Sequence, residues 1–209
     1  MYISDKMKKI SSYPVPENLI SLLEKNQTWG SERNQYSGLE ETGSIPLKYN
    51  FNYPDGMLGI CDHTHDSLYN MVKDVVELVG KNFAPYYCSR AVIAKLPKGA
   101  KVKEHVDPGL AFDLFHRFCW VIKTNPEAKM VIDGDEQHFS LGEIWEINNK
   151  LPHSAYNEGE SDRIHLIFDL ASVESLIGKT PLPFKKDSYD EKLFNIILKK
   201  RQKAERDEV

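Results

Sequence analysis

Residues 129–147 read K-M-V-I-D-G-D-E-Q-H-F-S-L-G-E-I-W-E-I, and this stretch decides the class of fold. Two turns, Asp133-Gly134 and Leu141-Gly142, cut it into three short runs at 129–132, 136–140 and 143–147. Runs of four or five residues are too short for helices, and Asp-Gly between apolar runs is a strong hairpin signal. The same pattern continues outward. Residues 89–96 (S-R-A-V-I-A-K-L) and 115–124 are rich in β-branched and aromatic residues, and Pro97-Lys98-Gly99 and Asn125-Pro126 close them. Residues 163–170 form another such run after Asn157-Glu158-Gly159. Short strands at this spacing predict a sandwich or barrel rather than a parallel sheet.

Upstream the periodicity changes. Residues 1–60 read as irregular, divided by Pro14, Pro16, Pro46 and Pro54. Within them Pro16-Glu17 opens a short helical pattern through Leu19, Ile20, Leu22 and Leu23. From Asp66 to about Phe83, apolar residues fall at Leu68, Met71, Val72, Val75, Val76, Val79 and Phe83. That spacing makes one continuous stripe along a helix. Residues 189–205 also look helical, with Leu193, Ile196, Ile197 and Lys200 on successive turns before a charged end. The expected organisation is an N-terminal segment over 1–85 packing on the barrel, a catalytic core over 86–170, and a C-terminal helix with charged tail over 171–209.

Composition narrows the function classes. The chain has 209 residues, with 27 Lys+Arg against 31 Asp+Glu, for a net charge of −4. Without a basic stripe it is a poor candidate for binding nucleic acid. Cys61, Cys88 and Cys119 are far apart and form no C-x-x-C pair, so neither a disulfide framework nor a zinc knuckle is expected. No signal-peptide pattern opens the chain, and no apolar run reaches the roughly 18 residues a membrane helix needs. The expectation is a soluble, cytoplasmic protein with reduced thiols.

The chemistry concentrates in Glu104-His105-Val106-Asp107 and in Leu151-Pro152-His153-Ser154-Ala155. In an extended segment residues i and i+2 point to the same side, so His105 and Asp107 can converge on one ion. His153 from another strand completes a face of two imidazoles and one carboxylate. Such a face leaves positions open and suits non-haem Fe(II) binding a cosubstrate and O2 together. H-x-D alone is a weak signal. Arg163, ten positions after His153, strengthens it. A 2-oxoglutarate cosubstrate chelates the metal with one end, and its far carboxylate needs a planar cationic anchor.

With these residues in place, the chain resembles the aspartyl/asparaginyl β-hydroxylase-like Fe(II)/2-oxoglutarate oxygenases, which include proline cis-hydroxylases. The resemblance rests on R-A-V-I-A-K-L-P-K-G-A-K-V-K-E-H-V-D from Arg90, R-F-C-W-V-I-K-T-N-P from Arg117, and L-G-E-I-W from Leu141. It continues in P-H-S-A-Y-N and R-I-H-L-I-F-D, and covers about residues 88–170. It implies a mainly β domain with flanking helices, folded as a double-stranded β-helix (a cupin-like jelly roll). It implies His105, Asp107 and His153 as metal ligands, Arg163 on the far carboxylate of 2-oxoglutarate, and Arg117 near the cosubstrate or substrate. One departure is Cys119, where many members carry a histidine; His116 beside it is a candidate replacement. The animal branch of the family often lacks the metal carboxylate, whereas this chain keeps Asp107.

Other readings stand beside these. His165 shares a strand face with Arg163 and lines the cosubstrate pocket or packs beside it. Arg90 and Arg117 are candidates to hold a substrate carboxylate, or are structural ion pairs. Trp120 and Trp145 read as core aromatics. Cys61-Asp62-His63-Thr64-His65-Asp66 imitates a metallohydrolase motif but lacks its later Asp-His, and helix capping by Thr64 or Asp66 accounts for it. The expected reaction is hydroxylation of a C–H bond in a small carboxylate-bearing substrate, such as free proline. The alternatives are a protein or peptide side-chain hydroxylase and a non-catalytic cupin-like binding module.

Overall fold

The computed structural model describes residues 5–25, 29–31, 38–48, 66–107, 115–176 and 199. Strands β1 (Met7–Ser12) and β2 (Gly43–Lys48) flank helix α1 (Glu17–Lys25), and helix α2 (Asp66–Gly80) follows. Then come β3 (Tyr86–Leu96), β4 (Lys101–His105), β5 (His116–Lys123), β6 (Ala128–Ile132) and β7 (Asp135–Gln137). Strands β8 (Glu143–Ile147), β9 (His153–Asn157) and β10 (Arg163–Ser172) complete the domain. One sheet runs β1-β8-β5-β10-β3-β2 and the other β4-β9-β6-β7. The strand pairs within both are antiparallel. This is the expected jelly roll: from β3 to β10 the chain passes back and forth between the two sheets, apart from the β6–β7 hairpin, which stays in the smaller one.

Strand alternation gives the large sheet two different faces. Outward go Phe118, Trp120 and Ile122 of β5 and Ile164, Leu166, Phe168 and Leu170 of β10. They pack on Leu19 and Leu23 of α1 and on Leu68, Val72, Val75, Val76 and Val79 of α2, the stripe read from the sequence. Inward go Cys119, Val121 and Ile147, which meet Ile132 of the small sheet and Phe139. Trp120 is fully buried in the outer core, and Trp145 packs against the inner one.

The irregular reading of 1–60 needs correction, since β1 and β2 are regular strands at the two edges of the large sheet. Their sequences, M-K-K-I-S-S and G-S-I-P-L-K, hide this because edge strands tolerate lysines on the open side and a proline with no N–H to donate. The run at 136–140 is shorter than expected: β7 ends at Gln137, and Phe139 turns into the inner core. Asp133-Gly134 is a two-residue hairpin loop with both φ positive, 47° and 80°, joining Ile132 to its partner Asp135. Apart from Lys199, the helix expected over 189–205 lies outside the described residues, as do the histidines of the Cys61–Asp66 segment. Among those described, no helix is long and apolar enough to cross a membrane. Cys88 and Cys119 are buried.

Candidate metal centre

β4 and β9 pair so that His105 stands directly opposite His153, with ring centroids 4.3 Å apart. Asp107, two residues past His105, is tied down by its backbone N–H, which donates to the Asn149 carbonyl at 3.2 Å. One ligand atom from each of His105, Asp107 and His153 lies within 4.8 Å of the others. Both imidazoles are oriented the same way. His105 Nδ1 sits 2.8 Å from the Lys103 carbonyl, and His153 Nδ1 sits 2.9 Å from the Leu151 carbonyl. A carbonyl only accepts, so each Nδ1 carries a proton, and Nε2 is the ring atom left to meet a metal. Burial lowers the His153 pKa to about 4, which keeps that ring neutral at physiological pH. Two imidazoles and a carboxylate are the donor set of a first-row divalent ion, so the residues fit iron.

Behind the triad runs a row of charge. Burial alone would raise the Asp107 pKa, but Arg117, Arg90 and the Asn149 amide hold it well below the usual carboxylate range. Arg117 Nη1 donates to Asp107 Oδ2, and Asn149 Nδ2 donates to the same oxygen at 3.0 Å. The rest of the guanidinium goes to Asp169, Nε to Oδ1 at 2.8 Å and Nη2 to Oδ2 at 2.9 Å. Arg90 Nε approaches Asp169 Oδ2 from the other side at 3.3 Å. The register explains this row: Asp169 of β10 faces Arg90 on β3 and Arg117 on β5. Thus Arg117 and Arg90, considered for cosubstrate or substrate, both reach into protein carboxylates.

Arg163 is different. It opens β10 and is buried, yet Nε and Nη1 find no hydrogen-bond partner among the described residues. Burial pulls its pKa down to about 10, and among the described residues no carboxylate restores it. His165, on the same face of β10, also has a buried Nε2 without a partner, and burial and the neighbouring Arg163 push its pKa well below the ordinary value. Phe139 stacks against it at 6.2 Å. His116, by contrast, does not reach this pocket, which corrects its expected place beside the cosubstrate. It is one residue out of phase with Arg117 and Cys119, so its ring lies on the helix side. There it bonds Glu146 at 2.6 Å and packs on Phe83 at 4.9 Å.

Residues 17–172 match the model of the aspartyl/asparaginyl β-hydroxylase family. The chain belongs to that family. Solved structures agree on the fold. An oxidoreductase of the 2OG-Fe(II) oxygenase family from Burkholderia pseudomallei superposes with a TM-score of 0.52 at 11% identity, over 73% of this chain and 76% of that one. A viral collagen prolyl hydroxylase from Paramecium Bursaria Chlorella virus-1, in complex with 2OG, gives 0.52 at 9% identity over 80% and 96%. As a β-hydroxylase family member the chain is an enzyme of the oxygenase class. Two features of this hydroxylase escaped the sequence reading. Asp169 closes the R-I-H-L-I-F-D motif, and its position opposite two arginines is readable only once strand register is known. Asn149 follows β8 in a turn, where a lone amide carries no signal.

Proposed function

We propose that this β-hydroxylase family member is an Fe(II)- and 2-oxoglutarate-dependent dioxygenase that hydroxylates a C–H bond. His105, Asp107 and His153 would hold the iron, and Arg163, with His165 beside it, would take the far carboxylate of 2-oxoglutarate. The observation that carries this is the pairing of the His105, Asp107 and His153 cluster with a buried guanidinium whose Nε and Nη1 have no hydrogen-bond partner among the described residues. An uncompensated buried cation costs several kcal/mol, so a dianionic cosubstrate is the natural occupant. When bound, iron and 2-oxoglutarate supply the oxidising chemistry: O2 and 2-oxoglutarate are consumed, succinate and CO2 are released, and one oxygen atom enters the substrate. The chain's own part is to fix both Nε2 atoms, hold the Asp107 carboxylate charged, anchor the cosubstrate and keep water from the apolar inner core. The test is succinate formation with added Fe(II), which should vanish in His105→Ala and His153→Ala. A wild type that forms no succinate with any substrate, while still binding ligands in the barrel, is instead a cupin-like binding module.

For the substrate, a free amino acid such as proline requires a cation for its carboxylate. Arg117 and Arg90 were the two expected for it. They face Asp169 and Asp107, two cations against two carboxylates, so this row is balanced before any substrate arrives. That balance favours a second reading, a side chain within a peptide, which brings no carboxylate of its own.

A further inference from the structure

We propose that Asn149 and Arg117 are positioning residues that hold Asp107 as a one-oxygen metal ligand, with Asp169 fixing Arg117 from behind. The inference rests on the metal-binding reading of the triad. Its basis is the division of labour between the two Asp107 oxygens. Oδ2 accepts from Arg117 Nη1 and from Asn149 Nδ2. Oδ1 faces the triad, 3.8 Å from His105 Nε2. A carboxylate oxygen that already receives two charge-assisted or amide donors has spent its lone pairs, so Oδ2 cannot also bind a cation. Asp107 would then offer a bound metal one oxygen rather than two.

Asn149 shows what this arrangement costs. Its amide is buried, and its nitrogen must be the end that meets Asp107, because two acceptors would repel. Its Oδ1 is left without a hydrogen-bond partner among the described residues. A buried orphan acceptor needs a reason, and holding Asp107 supplies it. The backbone of the same residue also accepts the Asp107 N–H, so Asn149 grips the ligand residue twice. Arg117 in turn meets Asp169 with two parallel hydrogen bonds, which fix the plane from which Nη1 reaches Asp107.

The experiment measures Co(II) binding by its visible absorption in place of iron, in wild type, Asn149→Leu and Arg117→Lys, with 2-oxoglutarate binding measured separately. Outer donors of this kind typically contribute about 10- to 100-fold to metal affinity. Both variants are expected to weaken Co(II) by about that factor and to change its absorption spectrum, while retaining cooperative thermal unfolding. Asn149→Ser, smaller and still polar, decides the matter if Asn149→Leu does not fold, and it should also bind Co(II) more weakly. Co(II) affinity and spectrum unchanged in the folded variants would overturn the inference. So would Arg117→Lys that keeps Co(II) affinity but loses 2-oxoglutarate, since Arg117 would then be a cosubstrate contact. A wild type that takes up no Co(II) at all removes the triad reading itself, which is a separate failure.

Discussion

Arg163 is the residue at which stability and function pull apart. It is charged, buried and opposed by no described carboxylate, and burial has already drawn its pKa down to about 10. Two outcomes follow at this single position. Arg163→Lys keeps the charge but loses the planar fork, and hydrogen bonds to charged groups are worth about 1.5–3 kcal/mol. The KM for 2-oxoglutarate should therefore rise by about 10- to 150-fold, with metal binding retained. An unchanged KM would move the anchor to another residue. Arg163→Met removes the charge and keeps much of the length. It should abolish 2-oxoglutarate binding and raise the melting temperature of the cosubstrate-free protein, because a cost carried for the ligand is gone. A markedly lower melting temperature in Arg163→Met would mean that the guanidinium is structural.

Among the elements, β8 ties the surface to the pocket. Glu143 accepts from Lys9 Nζ of the edge strand β1 at 2.6 Å, from the Ser140 N–H at 2.9 Å and from Trp145 Nε1 at 2.9 Å. Trp145 stacks on Phe139 at 4.4 Å, and Phe139 faces His165. Burial alone would raise the Glu143 pKa, but Lys9, the Ser140 amide and Trp145 hold it below the usual glutamate range. A group depressed in the folded state contributes stability above its unfolded pKa and loses it as pH falls through the folded value. The melting-temperature gap between wild type and Glu143→Gln should be full above about pH 5 and should close under more acidic conditions. A gap that stays constant down to pH 3 would show that the carboxylate charge contributes nothing there. The same element shows what was legible. L-G-E-I-W-E-I marks a strand by itself, and the α2 stripe marks a helix, because each pattern is local. β1 and β2 were not legible, since an edge strand needs only half the ladder and admits Lys8, Lys9 and Pro46. The triad was legible as residue types two apart plus a distant histidine. The Asp169–Arg117–Asp107 row was not, because it joins three strands whose register no short motif encodes.

For the whole molecule, the two faces of the large sheet separate folding from chemistry. The helices and the outer face of the sheet bury the main apolar core, while the barrel interior carries Arg90, Arg117, Arg163, His165, Asp169 and the triad. Charges on the inside are tolerated where they are paired, and four of these form the row from Arg90 to Asp107. That row bears directly on what the enzyme accepts. A free amino acid would bring a carboxylate to a barrel whose two candidate cations already have partners, and displacing Asp169 from either would leave that carboxylate buried and unpaired. A blocked peptide brings no such charge. The test is a panel of free amino acids and of peptides carrying the same residues with both termini blocked, scored by hydroxylated product after subtracting succinate released without substrate. The charge balance leads us to expect hydroxylation among the blocked peptides. Turnover confined to free amino acids would mean that a cation outside the row holds the carboxylate, or that Arg90 gives up Asp169 when substrate binds. Arg90→Gln then separates these two, since it would raise the substrate KM only in the second case.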